Sequence, residues 1–246
     1  MRLAGKRAIV TGGGSGIGKA IAASFAREGA QVVICGRNAR KLELAAAEIG
    51  PQCLAVAADI SHADDTNRLV EQAVQEFKRL DILVNNAGVL LAGTAESLTS
   101  EQWEQTFNTN VRAVWQLSRA VLPHMRKAGS GAIINVASVL SSLGARNRVA
   151  YAASKGAVLA LSRAMALDHA EENIRINCIC PGIVETEMVA AFNLDEKARQ
   201  QRISAHPMGR FGQPGDIAGL AVFLASDEAS WITGAAFTAD GGYSAH

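Results

Sequence analysis

Arg7-Ala8-Ile9-Val10-Thr11, followed by Gly12-Gly13-Gly14-Ser15-Gly16-Ile17-Gly18, is the stretch on which the fold turns. A short apolar run bounded by glycine reads as a buried strand. A helical pattern follows from Ile17 to Glu28, and Gln31-Val32-Val33-Ile34-Cys35 reads as a second strand. Strand, glycine turn, helix, strand is the βαβ unit that holds a dinucleotide. The spacing Gly12-x-x-x-Gly16-x-Gly18 makes a longer turn than G-x-G-x-x-G. The physics is unchanged: glycines let the backbone approach a pyrophosphate, and the helix start offers it free N–H groups. Such a turn can also be a plain βα connection; its place between strand and amphipathic helix favours phosphate.

Outward from this unit the cycle repeats. Leu54–Ala57, Asp81–Asn85, Ala132–Val136, Ile174–Cys180 and Ala235–Ala239 read as strands. Leu42–Ile49, Asp64–Phe77, Glu101–Met125, Tyr151–Ala170 and Pro214–Ala225 read as helices between them. The pattern predicts an α/β chain: one Rossmann domain over residues 1–246, a doubly wound parallel sheet of about seven strands with helices on both faces. The alternation pauses after Pro181. Residues 183–212, with a helix expected over Asp195–Ser204, form an insertion at the carboxyl edge of the sheet, where ligands bind. Insertions of this length are commonly lids or binding loops.

Composition narrows the function. The formal net charge is +1 and no long basic run exists, so nucleic acid and anionic membrane surfaces have no electrostatic support as partners. No window of ~18 apolar residues suggests a membrane span, and Met1–Lys6 lacks the apolar core of a secretory signal. Cys35, Cys53, Cys178 and Cys180 lie in apolar, strand-like runs with neither zinc nor disulfide spacing. They read as buried thiols of a cytoplasmic protein. The five histidines, His62, His124, His169, His206 and His246, are scattered, suggest no metal site and read mostly as surface residues.

Chemistry enters at Tyr151-Ala152-Ala153-Ser154-Lys155. On a helix, residues i and i+4 share a face, which sets a phenol beside an ammonium. A free phenol titrates near ~10; a neighbouring cation lowers that value and makes the phenol a usable general acid/base. Alone, the pair is more often a surface contact. Ser138, ending the run Ile133–Ser138, would point its hydroxyl out at the same sheet edge, though a serine there can equally be a cap.

These pieces together resemble the short-chain dehydrogenase/reductase family, nearly end to end. Thr11-Gly12-Gly13-Gly14-Ser15-Gly16-Ile17-Gly18 is similar to its T-G-x-x-x-G-I-G motif, and Asn85-Asn86-Ala87-Gly88 to its N-N-A-G. Asn110, Ser138, Tyr151 and Lys155 match its catalytic tetrad in order and spacing; Pro181-Gly182 with Thr186 resembles its P-G-x-x-x-T. The resemblance implies a nicotinamide oxidoreductase. Tyr151 would exchange the proton, Ser138 would orient the carbonyl, Lys155 would tune the phenol and hold the nicotinamide ribose, and Asn110 would bind a water. Gly12, Ser15, Gly16, Ile17, Gly18, Asn86, Ala87, Gly88, Pro181, Gly182 and Thr186 would line the cofactor, with Asp59 at the adenine. A regulatory binding protein on the same scaffold would be signalled by a broken tetrad or glycine loop, and neither is broken.

Gly36 stands where relatives that prefer NAD carry Asp, and Arg37 follows, a cation suited to a 2′-phosphate. NADP(H) is therefore favoured, with NAD(H) left open; Ser15 stands where many relatives that prefer NADP have a second basic residue. A small hydroxy or keto compound is expected as substrate. Arg146 and Arg148 lie between Ser138 and Tyr151, and Arg148 is three residues before the tyrosine, within reach of a substrate carboxylate. Solvent-facing arginines are the plainer alternative. Reduction of 3-oxoacyl groups on a carrier protein is a second reading, weakened because Gly129 and Glu172 occupy places where such relatives carry basic residues; Arg126 and Lys127 lie close to the first. Sugar or polyol dehydrogenation stays open. The resemblance also implies a homotetramer, with Trp103, Phe107, Val111, Val114, Trp115, Val158, Leu161 and Met165 as apolar residues beyond one helix stripe.

Overall fold

The computed structural model describes residues 1–245. Seven parallel strands form one sheet: β1 (Arg7–Thr11), β2 (Gln31–Gly36), β3 (Cys53–Ala57), β4 (Ile82–Asn85), β5 (Gly131–Val136), β6 (Ile174–Pro181) and β7 (Ala236–Ala239). Their order across the sheet is β3-β2-β1-β4-β5-β6-β7. The chain thus builds outward from β1 in one direction, then returns to β1's other side with β4. That reversal opens a crevice beyond the carboxyl ends of β1 and β4. Thr11 closes its floor: its Oγ1 accepts the N–H groups of Asn86 (3.0 Å) and Ala87 (2.9 Å), while Asn86 Nδ2 donates to the Thr11 carbonyl at 2.9 Å.

One face of the sheet is covered by α1 (Gly16–Arg27), α2 (Ala39–Ile49) and α9 (Pro214–Ala225), packed on Val10, Val32, Ile34, Val84 and Ile134. The other carries α3 (Ala63–Phe77), α5 (Ala113–Ala128) and α6 (Val149–His169) over Ile9, Val33, Leu83, Ile133 and Ile176. Strands buried on both faces explain why the sequence reads as unbroken apolar runs rather than alternation.

The expected helix over Glu101–Met125 is not continuous. It is α4 (Ser100–Phe107), a π-turn over Asn108–Arg112, then α5. A π-turn inserts one residue without disturbing the apolar period much, so sequence periodicity passes over it. The apolar surplus is also smaller than its residues suggested: Val114, Val158 and Met165 are buried in the chain's own core. Trp103 and Trp115 stay exposed, and Phe107, Val111, Trp115 and Leu161 line a shallow groove. Three thiols are buried and Cys53 is only partly so. Of the five histidines, read mostly as surface residues, His206 is 2% exposed, and His246 lies outside the described residues. Among the described residues no helix is long and apolar enough to cross a membrane.

Candidate active site

A cleft of 1310 Å³ runs along the carboxyl edge from Arg37, Asp59 and Ser61 to Tyr151, Arg148 and Phe192. Its dinucleotide end is built on backbone. Gly12 has φ 65°, and a Cβ on Gly18 would lie 2.3 Å from the Gly12 carbonyl oxygen, so the loop closes only with glycine at these places. Ser15 precedes α1 without a side-chain cap, which leaves the first N–H groups and the Ser15 hydroxyl free toward the cleft. Gly12, Ser15, Gly16 and Ile17 all border the cleft, as do Asn86, Ala87, Gly88, Pro181, Gly182 and Thr186. Gly18 does not; it seats α1 against the loop. This cradle and the length of the cleft fit a dinucleotide.

Asp59 sits beside Arg37. Burial works to raise its carboxyl, but the Ser61 hydroxyl (2.7 Å) and amide (3.0 Å) donate to it, and with the Arg37 charge they hold it below the ordinary value. Arg37 itself is exposed at the cleft wall.

The other end carries the titratable groups. Ser138 lies two residues beyond β5, extended, and its Oγ accepts the Leu140 amide at 3.1 Å; its own O–H remains free to donate. Tyr151 and Lys155 share a face of α6, and the Lys155 ammonium lies 5.7 Å from the phenol ring centroid. Lys155 is buried and donates to the Val136 carbonyl at 2.7 Å. Burial pulls it down to about 8. The Tyr151 phenol departs from the expectation. Burial raises it above its usual value, while the Ser138 hydroxyl and the Arg148 charge act the other way. An ammonium over the ring rather than at the oxygen is poorly placed to offset that desolvation.

Asn110 stands in the π-turn, fully packed. Its Oδ1 accepts the Val89 amide (2.8 Å) and its Nδ2 donates to the Val89 carbonyl (2.9 Å) and Ser154 Oγ (3.0 Å), which in turn donates to the Tyr151 carbonyl at 2.7 Å. The side chain is thus engaged in bracing the first turns of α6. Lys155 and Asn110 meet at Gly88, where a Cβ would lie 3.2 Å from Asn110 Oδ1 and 3.6 Å from Lys155 Nζ.

Beneath these groups runs a buried polar chain that sequence reading missed. Asn85 donates to Asn135 (2.8 Å), Asn135 to Ser162 (2.7 Å) and Ser162 to the Val158 carbonyl (2.7 Å), so β4, β5 and α6 are tied together. The available signal was Asn135, a polar residue inside an otherwise apolar strand. Phe192, Arg202 and Tyr243 also border the cleft and were not anticipated. Tyr243 packs against His206 with the rings tilted by 32°, and the His206 Nδ1–H donates to the Arg202 carbonyl at 2.7 Å. Arg146 is exposed at the rim. Among the described residues no group of three or more His, Cys, Asp or Glu could hold a metal.

Residues 12–244 match a family profile described as enoyl-(acyl carrier protein) reductase. The chain is 38% identical to the 3-oxoacyl-[acyl-carrier-protein] reductase FabG of Thermotoga maritima, covering 98% of this chain and 99% of that protein. The crystal structure of 3-ketoacyl-(acyl-carrier-protein) reductase from Brucella melitensis complexed with NADH superposes with a TM-score of 0.94 at 40% identity, over 98% of this chain and 99% of that one. A Beutenbergia cavernae chain solved with NADP at low occupancy gives the same TM-score at 41% identity, over 99% and 98% of the two chains.

Proposed function

Because the chain belongs to the short-chain dehydrogenase/reductase family, we propose that it interconverts a secondary alcohol and a ketone in a small hydroxy or keto compound, with NADP(H) as the favoured cofactor. The observation that carries this reading is the convergence of Ser138, Tyr151 and Lys155 on one end of a cleft whose other end is a dinucleotide cradle. The nicotinamide, when bound, supplies or accepts the hydride. In reduction, the Ser138 O–H holds the ketone oxygen and the Tyr151 phenol gives it a proton as the carbonyl becomes an alkoxide. In oxidation, the phenolate takes that proton back. Lys155 binds the ribose and, lying over the phenol ring rather than at its oxygen, gives the phenolate only modest support; Asn110 and Ser154 fix the α6 turn that carries Tyr151.

Gly12, Ser15, Gly16 and Ile17 hold the cofactor's phosphates, Asn86, Ala87 and Gly88 lie against it, Thr186 and Pro181-Gly182 take its nicotinamide end, Arg37 a 2′-phosphate and Asp59 its adenine end. Residues 183–212 serve as the substrate loop. The groove over Phe107, Val111, Trp115 and Leu161, with exposed Trp103, is covered by a second copy in a homotetramer; light scattering returning a monomer mass at micromolar protein would contradict this.

A panel of ketones and secondary alcohols, followed by nicotinamide absorbance with both cofactors, tests the reading. Turnover in native protein that drops ~10²–10⁴-fold in Tyr151→Phe supports it. No turnover of any ketone or alcohol would overturn it.

The carrier-protein reductases among the relatives favour a second substrate class, 3-oxoacyl thioesters. Against it, Arg126, one of the two cations close to the expected docking place, is held by both oxygens of Glu172, at 2.9 and 3.0 Å. A 3-oxoacyl thioester included in the panel decides between the two.

A further inference from the structure

Two arginines from opposite walls of the cleft converge on one aromatic ring. Arg148 immediately precedes α6, and its guanidinium lies 5.0 Å from the Phe192 ring centroid. Arg202, on α8 (Glu196–Ser204), lies 5.8 Å from the same centroid. Phe192 follows the short helix α7 (Glu187–Ala190), and all three side chains border the cleft together with Tyr151.

What separates these two cations from their neighbours is the want of a counter-charge. Arg199, one turn away on α8, pairs with Glu185, and Arg210 pairs with both oxygens of Asp216. The carboxylates on the cleft wall are accounted for elsewhere: Asp59 is held by Ser61, and Glu187 pairs with Lys41. Glu101 and Glu104 also border the cleft. Neither lies within the 4.0 Å ion-pair range of Arg148 or Arg202, and among the described residues no other carboxylate does. Arg148 donates only to the Asn147 carbonyl at 2.8 Å. Burial, and then the Arg202 charge, push the Arg148 guanidinium below its ordinary value. Two partly buried like charges set against one ring repel unless an anion joins them. A carboxylate has lone pairs enough to accept from both guanidinium groups at once.

We propose that Arg148 and Arg202 form a two-guanidinium subsite for the carboxylate of a small hydroxy or keto acid, which bridges the α6 wall and the α7–α8 wall while its carbonyl faces Tyr151. This assignment rests on the oxidoreductase reading and names its substrate class. A thioester presents no charge at this position and gains nothing from the pair. Arg202 reaches the subsite because His206 grips its carbonyl, so the second cation is set by the end of α8 rather than by a flexible loop.

The test uses pyruvate, acetoacetate and levulinate, which space the ketone differently from the acid, each against its methyl ester. Native protein should favour at least one free acid by tenfold or more in kcat/KM. Arg148→Ala and Arg202→Ala should each raise KM for that acid by about 10–100-fold, the span of one charge-assisted contact, and Arg202→Ala should leave KM for the ester unchanged. Arg146→Ala, which removes the same charge at the rim, should keep the preference. An acid that fares no better than its ester, or a preference that survives Arg202→Ala, overturns the subsite while leaving the oxidoreductase reading intact. If neither acids nor esters turn over, the wider ketone and alcohol panel decides that reading, and calorimetry of the same acids decides the subsite alone. Binding in native protein that vanishes in Arg202→Ala supports it, and no binding overturns it.

Discussion

The inner wall of the cleft, formed by the ends of β4 and β5 and the start of α6, is fastened from within. Asn85, Asn135 and Ser162 form an unbroken buried hydrogen-bond chain there, and Asn110 locks the turn that carries Tyr151. The outer wall, residues 183–212, is anchored in the core at its ends by Val184, His206 and Phe211, and between them it is fastened from outside. Helix α8 buries no residue, and ion pairs hold the segment: Lys41 with Glu187, Arg199 with Glu185, Arg210 with Asp216. Packed networks have few alternative arrangements, whereas exposed ion pairs contribute ~0–1 kcal/mol each and yield to salt. The contrast assigns proton chemistry to the wall that cannot move and substrate choice to the wall that can.

The largest effect should come from Lys155→Met. Turnover is expected to fall at least ~10²-fold and cofactor affinity to weaken as the ribose loses its donor, with only a small move of the oxidation pH profile to higher pH, because the cation lies over the ring rather than at the oxygen. The fold should gain. Lys155 stands at about 8 in the folded chain against its ordinary 10.5, so the unfolded chain binds the extra proton between these values. Native stability then rises with pH through that window. Methionine removes the buried charge, so the variant should melt a few degrees higher near neutrality, an advantage that shrinks between pH 8 and 10.5. A variant that melts lower at pH 7 and keeps its activity profile would break the claim that a buried charge is retained here for function.

Asn135→Leu comes next. It keeps the volume but takes the 2.8 Å acceptor from Asn85, which is left with a long 3.4 Å contact to Ser118, and one donor from Ser162, at a cost of about 1–3 kcal/mol. Thermal unfolding should shift down by several degrees, and activity should fall with the displacement of α6. An unchanged melting curve would remove the inner network from the comparison.

How much of this was legible in the chain follows from how each feature is encoded. Strand and helix periods lie within short windows, so the sheet, the glycine loop and the i, i+4 pair of Tyr151 and Lys155 could be read directly. The π-turn at Asn110 could not, since one inserted residue leaves the apolar stripe readable on both sides. Burial of Tyr151 works against the lysine, and burial is a property of the packed neighbours rather than of the motif. Arg202 meets Arg148 from 54 residues further along, 202 less 148, and only the path of the α7–α8 segment brings them to one ring.

Arg37→Ala probes the dinucleotide end. The expectation is a loss of about tenfold in kcat/KM for NADP(H), with NAD(H) little changed; a native preference for NAD(H) that the substitution does not touch would reverse the cofactor assignment. Glu185→Gln should have the smallest effect. It removes one exposed ion pair with Arg199, so stability should change by less than ~1 kcal/mol, while KM for substrate shifts more than kcat. A large loss of stability would mean that the outer wall is packed as firmly as the inner one.

The most direct test of the division between the walls is kcat on a single neutral ketone, measured side by side in native protein, Tyr151→Phe and Arg202→Ala. The account predicts a native-like kcat in Arg202→Ala and a ~10²–10⁴-fold loss in Tyr151→Phe with cofactor binding retained. Near-native turnover in the phenylalanine variant, or an equal collapse in both, would contradict it.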